Sequence, residues 1–195
     1  MKSPSIASYH PRLGNNLTSA IGKFLLKVSG WKLEGEFPQE KKVVICLAPH
    51  TSNWDFFIAI FAVLALKLKA NWMGKKQIFT WPIKTLLIKL GGLPVDRAAP
   101  GGLVQQVVDQ FKQADSMVFA LAPEGTRKRV SVWKNGFLRI AKQANVPVYL
   151  AYFDFERKVF GFHAQPIQVE ELDSSMQKIR DFYKGIPAKH PHNTN

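Results

Sequence analysis

The stretch KKVVICLAPHTSNWDFFIAIFAVLALKL, residues 41–68, changes its periodicity halfway along. Its first part, Val43 to Ala48, is apolar and rich in β-branched residues, with Cys46 in the middle, and reads as a short strand buried on both faces. Its last part, from Phe56, has the length and composition of a helix. Between them stand His50, Thr51, Ser52, Asn53 and Asp55, a polar group set at the mouth of the core. A buried strand that passes through a polar loop into a helix is half of a parallel β-α-β unit. The run Phe56–Leu66 is the longest apolar stretch, with 11 residues. Crossing a bilayer takes roughly 20, so this is expected to be a buried helix.

The same alternation recurs on either side. Upstream, Leu17, Ile21, Phe24, Leu25 and Val28 share one helical face, with Lys23 and Lys27 elsewhere, and WKLEGEF alternates as a strand. Downstream, NWMGK reads as a strand and WPIKTLLIKLGG as a helix with Pro82 in its first turn. LPVDR (a strand), GGLVQQVVDQFKQA (an amphipathic helix) and SMVFALA (a buried strand) follow, then the polar loop PEGTRKRVSVWKNG. FLRIAKQA is a helix, VPVYLAYFDF a strand, ERKVFGFHAQPIQVE one or two further strands and SSMQKIRDFYKG a last helix. The expected fold is therefore α/β, a single domain over residues 1–185. Its mixed, largely parallel sheet is covered by helices on both faces. Residues 1–30 form an N-terminal amphipathic segment, and residues 186–195 are expected to be a disordered tail.

With 195 residues, 46% of them hydrophobic, the chain can bury a sizeable core. Its net charge is +13, and residues 1–100 carry 14 basic against 5 acidic side chains. Such an excess implies anionic partners, whether nucleic acid, an anionic membrane surface or phosphorylated substrates. The charges are interleaved with apolar elements and no nucleic-acid motif is present, so nucleic acid is not expected. One cysteine, Cys46, excludes a disulfide framework and points to a reducing, cytoplasmic compartment. The N-terminus lacks the apolar core of a signal peptide. The expected location is peripheral, on the cytoplasmic side of a membrane. The helical face at Leu17–Val28 and Lys67, Lys69, Lys75, Lys76, Lys84 and Lys89 would supply the attraction, at about 1 kcal/mol for each lysine near anionic lipid. Packing of that helix on the domain's own core is an equal alternative.

Three polar loops follow strands, where sites gather in such sheets. In the first, Asp55 can orient the His50 imidazole and leave its other nitrogen as a general base. It can equally serve the helix start, with Ser52 or Asn53 as the cap. The second ends in Asp96 and Arg97. In the third, Gly125 permits a tight turn, Arg127 can grip a phosphate bidentately, and Glu124 can accept a hydroxyl or steady an arginine. No G-x-S-x-G, P-loop or dinucleotide fingerprint occurs. His190 and His192 lie in the tail without further ligands, so no metal is expected.

Taken together the three loops resemble the glycerophospholipid acyltransferase family, of the lysophosphatidic-acid acyltransferase type. His50 and Asp55 match its H-x4-D motif, with Ser52 two residues after the histidine. Gly91 through Asp96 and Arg97 match its second block, Glu124–Arg127 its E-G-T-R block, and Val146, Pro147 and Val148 a fourth. The blocks occur in the family's order over residues 46–150. The resemblance implies a glycerol-phosphate acyltransferase-like fold. It also implies transfer of a fatty acyl group from acyl-CoA or acyl carrier protein to a hydroxyl of a phosphorylated glycerolipid, in phospholipid biosynthesis. His50 would be the base and Asp55 its orienter. Arg97, Glu124, Gly125, Thr126 and Arg127 would hold the acceptor's phosphate. No cofactor is implied beyond the thioester substrate. The rival readings are transfer to another lipid acceptor and a non-catalytic basic module that binds anionic membrane or nucleic acid.

Overall fold

Alternation along the central strand sends Val44, Cys46 and Ala48 to one face of the sheet and Val43 and Ile45 to the other. The structure, a computed structural model, describes residues 4–95 and 102–194, apart from the side chain of Lys75. Its strands are Lys32–Gly35 (β1), Lys42–Ala48 (β2), Ala70–Lys75 (β3), Gly92–Val95 (β4), Met117–Leu121 (β5), Val148–Asp154 (β6) and Val159–Phe162 (β7). Its helices are Asn16–Val28 (α1), Asn53–Leu66 (α2), Lys84–Lys89 (α3), Gly102–Gln113 (α4), Gly136–Ala144 (α5) and Leu172–Tyr183 (α6). The strands form one sheet in the order β1-β7-β6-β2-β5-β3-β4. Among the described strand pairs only β6–β7 is antiparallel, so the mixed, largely parallel sheet is as the sequence reading has it.

Helices cover both faces. On one, Val107, Val108 and Phe111 of α4, Phe137 and Leu138 of α5, and Ile179 and Tyr183 of α6 close over Val44 and Cys46. On the other, Leu26 of α1 and Ile58, Ala62 and Ala65 of α2 close over Val43 and Ile45. Burial of such side chains stabilises by roughly 1.5–3 kcal/mol each. The hydroxyl of Tyr183 bonds to the carbonyls of Cys46 (2.7 Å) and Ala151 (2.9 Å), tying α6 to β2 and β6. Burial pushes that phenol well above its ordinary pKa.

Helix α1 does not pack through its apolar face. Ser19, Gly22 and Leu26 form the buried side. The Ser19 hydroxyl donates to the Ala65 carbonyl at 2.7 Å. A Cβ on Gly22 would lie 2.5 Å from the Ala65 nitrogen, so the absence of a side chain lets α1 and α2 approach this closely. The opposite face is left to solvent, with Leu17 68%, Phe24 61% and Val28 62% exposed. Among the described residues no helix is long and apolar enough to cross a membrane.

Two expectations are corrected. The helix read from WPIKTLLIKLGG is only Lys84–Lys89. Pro82 stands in the turn that precedes it, and Gly91, at φ +87°, turns the chain into β4. The expected disordered tail is instead packed among its described residues. The Phe155 N–H donates to the Pro187 carbonyl at 2.9 Å, Ala188 is buried, and Pro191–Asn193 form a 3-10 turn. The hydrogen bonds among these run through the backbone, so composition carried no sign of them.

Register fixes where the loops meet. Cys46 of β2 lies opposite Leu121 of β5, and Ala48 lies opposite Tyr152 of β6. The loops that leave the carboxyl ends of β2 and β5 are therefore neighbours. Asp96 and Arg97, which follow β4, lie outside the described residues.

Candidate active site

The chain leaves β2 through Pro49 and reaches α2 by way of His50 and Thr51. Ser52 caps the helix, its side-chain oxygen accepting from the Trp54 N–H at 3.2 Å. Asp55, in the first turn, completes a capping box. The same carboxylate also binds the histidine: Asp55 Oδ2 accepts from His50 Nδ1 at 3.0 Å, from the Thr51 N–H at 2.9 Å and from the Ser52 N–H at 2.8 Å. Capping and orienting, alternatives in the sequence, are thus done by one oxygen. Asp55 is 1% exposed, while the His50 side chain is 25% exposed. A buried carboxylate that accepts at Nδ1 fixes the tautomer with Nδ1–H, which leaves Nε2 with a free lone pair.

The β5 loop closes on this one from the side. Glu124 Oε1 accepts from the backbone N–H of His50 at 2.9 Å, so the second loop holds the first by its main chain. Burial raises the Glu124 carboxyl above the ordinary carboxylate range, and the hydrogen bond from His50 partly offsets this. Its Oε2 is buried with no partner among the described residues, as is Asp55 Oδ1. Gly125 turns at φ +64°, and a Cβ there would lie 2.9 Å from Lys134 Nζ, which reaches across the loop. Arg127 Nη1 donates to Asn53 Oδ1 at 2.5 Å. The exposed guanidinium is thereby set at the start of α2, whose free N–H groups favour anions.

Of the seven site residues expected from sequence, six are described. His50, Asp55 and Glu124 are joined directly, and Arg127 joins them through Asn53. Gly125 lets the loop turn, and the Thr126 side-chain oxygen accepts from the Lys128 N–H within that turn at 3.3 Å. Arg97 lies outside the described residues. The sequence singled out neither Lys134, which has no motif, nor Lys189, and weighed His190 only as a metal ligand. The His190 N–H donates to Thr51 Oγ1 at 3.3 Å, and Lys189 Nζ sits 4.9 Å from the centre of the Trp54 ring. Beyond Trp54 a row of rings leads away from the site: Trp54 to Phe57 at 5.9 Å, Phe57 to Phe56 at 6.1 Å, and Phe56 to Trp72 at 6.0 Å.

A half-buried imidazole, paired with a buried carboxylate and facing a charged loop, is equipped to take a proton from a bound hydroxyl. Residues 31–153 match the family model described as Acyltransferase, a span of more than half the chain, and the chain belongs to that family. It is an acyltransferase. The fold is similar to that of the 1-acyl-sn-glycerophosphate (LPA) acyltransferase PlsC from Thermotoga maritima, with a TM-score of 0.60. That alignment covers 89% of this chain and 80% of the other at 18% identity, a likeness of fold. No curated protein matches the chain.

Proposed function

We propose that this acyltransferase moves a fatty acyl group from a thioester carrier, acyl-CoA or acyl carrier protein, to a hydroxyl of a lysophosphatidic-acid-like glycerolipid. The observation that carries the reading is the 3.0 Å contact between His50 Nδ1 and the buried Asp55 carboxylate, in a loop that Glu124 holds by its backbone. His50 Nε2 takes the proton of the acceptor hydroxyl. The hydroxyl oxygen then attacks the thioester carbonyl carbon, the C–S bond breaks, and the imidazolium returns the proton to the departing sulfur. Asp55 stabilises the imidazolium between these events. The thioester already carries a good leaving group, so the acyl group passes in a single exchange without an acyl-enzyme. Arg127, with Glu124, Gly125 and Thr126 and together with Arg97, positions the acceptor's phosphate. Such positioning contributes up to roughly 7–11 kcal/mol in well-oriented systems.

The surface supports a lipid substrate. The row of rings that begins at Trp54 offers an apolar path for an acyl chain beside His50. The bare face of α1, with Lys23 and Lys27 off that face, suits a helix lying on an anionic membrane. Trp81, 91% exposed, adds an interfacial anchor. Thiol release from a long-chain acyl-CoA, measured with and without lysophosphatidic acid and followed by identification of the lipid product, tests the reading. Acceptor-dependent release with phosphatidic acid as product is the expected result. Release that no glycerolipid stimulates would count against it.

A further inference from the structure

The tail meets the His50 loop at Thr51 and the first turn of α2 at Trp54. The Phe155 N–H, just past the end of β6, holds the Pro187 carbonyl at 2.9 Å, and β6 is the neighbour of β2 in the sheet. This places residues 187–190 at the end of the sheet that carries His50. Ala188 is buried there. The His190 N–H then donates to Thr51 Oγ1, while the Thr51 N–H donates to Asp55 Oδ2. Between these two anchors, Lys189 lies half-buried with its Nζ over the Trp54 ring.

Two cations therefore stand on consecutive residues of the first turn of α2: Arg127 on Asn53 and Lys189 on Trp54. Among the described residues no carboxylate pairs with either. Both sit at the positive end of a 14-residue helix, where an anion is favoured and extra positive charge is not. The flanks of this lysine are held by backbone hydrogen bonds, and among the described residues its ammonium is placed against a ring face.

We propose that Lys189 is a second phosphate-binding residue of the site, presented by the C-terminal segment on the α2 residue that follows the one holding Arg127, and that it takes a phosphate ester of one of the two substrates. The proposal rests on the acyl-transfer reading for the identity of those substrates. The ligand chemistry is shared by the acceptor's glycerol phosphate and the phosphates of CoA, and the test separates them.

Equilibrium binding of CoA and of a short-chain lysophosphatidic acid is measured calorimetrically on the wild type, Lys189→Met and Lys189→Arg. Two-substrate kinetics and melting temperature are recorded alongside. Methionine keeps the stem over Trp54 and removes the charge; arginine keeps the charge. The expected result is about a tenfold loss of affinity for one of the two ligands in Lys189→Met, matching one charge-assisted contact. The corresponding KM should rise, with kcat and melting temperature nearly unchanged, and arginine should recover most of the loss. A loss confined to lysophosphatidic acid assigns the acceptor's phosphate, and one confined to CoA assigns the donor's. Unchanged binding of both ligands, no binding of either to the wild type, or a loss that follows the melting temperature and ignores arginine would overturn the proposal. Binding that depends on Lys189 in a protein without turnover would uphold it and defeat the acyl-transfer reading.

Discussion

Replacing Asp55 by asparagine keeps the shape of the side chain and removes its charge, and the surrounding hydrogen bonds decide how the amide must sit. Three donors converge on Oδ2: His50 Nδ1–H and the backbone N–H groups of Thr51 and Ser52. The amide NH2 cannot occupy that position without facing two backbone donors. The oxygen of the new amide is therefore held toward His50, and the NH2 goes to the buried Oδ1 position, where no partner waits. The imidazole keeps its tautomer; what is lost is the charge that stabilises the imidazolium. Hydrogen bonds to charged groups contribute about 1.5–3 kcal/mol and neutral ones about 0.5–1.5. The difference per bond is then about 1–1.5 kcal/mol, and the three bonds cost stability of about 3–4.5 kcal/mol before the easier burial of a neutral group offsets part of it. At about 2–4 °C per kcal/mol for a domain of this size, the melting temperature should fall by about 5–10 °C. Loss of imidazolium stabilisation should lower kcat by about 10- to 100-fold, well short of the ~10⁴ seen where an amide flips the tautomer of a catalytic histidine. The assay is thiol release at saturating substrates, with ¹⁵N NMR of the His50 ring to read the tautomer. A loss near 10⁴ with the proton on Nε2 would refute the claim that the two amides fix the orientation. Normal turnover in a destabilised protein would leave Asp55 as a helix cap alone.

Arg127→Ala should lower acceptor efficiency by about tenfold, the modest end for a charge-assisted contact because the guanidinium is exposed; Arg127→Lys should recover only part, and a loss confined to the donor would assign the loop to the other substrate. Glu124 binds its proton more tightly in the folded than in the unfolded chain, so its contribution to stability declines as pH rises from the ordinary carboxylate range through its raised pKa. Glu124→Gln keeps an acceptor for the His50 N–H and removes that decline, so its stability relative to wild type should improve from acid to neutral pH; parallel melting curves across that range would contradict the assignment. Leu17→Glu with Phe24→Glu should cut binding to anionic vesicles by about tenfold or more, given roughly 1.5–3 kcal/mol for burying each large apolar side chain. The same pair, being exposed, should change folding stability by only about 0.5 kcal/mol, and unchanged vesicle binding would remove the α1 face from the membrane contact.

The sheet was legible because its strands are short, apolar and separated by amphipathic helices, and the loop order placed His50 and Glu124 at one end. The direction of α1 was not legible. An apolar face announces itself in sequence, but nothing in the pattern says what covers it, and the side that packs uses Ser19 and Gly22, which carry almost no hydrophobic signal. Motif spacing brought out His50 and Asp55, yet five residues of separation left their pairing open. The contact forms because the Thr51 and Ser52 N–H groups converge on the same oxygen as the imidazole. The link from Glu124 to the His50 backbone joins residues 74 positions apart, and a side chain that bonds a main chain leaves no complementary residue to find. The tail was missed for a similar reason. Lys189 meets a ring face and His190 donates through its N–H, so a polar, proline-containing composition read as disorder.

The central claim is that the His50 imidazole is the base of an acyl transfer, and His50→Ala tests it most directly. Turnover of a long-chain acyl-CoA with lysophosphatidic acid is compared with the melting temperature of the same preparation. General-base catalysis contributes about 10²–10⁴ in rate, so the variant should melt near the wild-type temperature and retain about 1% of wild-type turnover or less. A second substitution, Asp55→Asn, should then add little, since both residues serve one function. A folded His50→Ala protein that transfers acyl groups at near the wild-type rate would contradict the account.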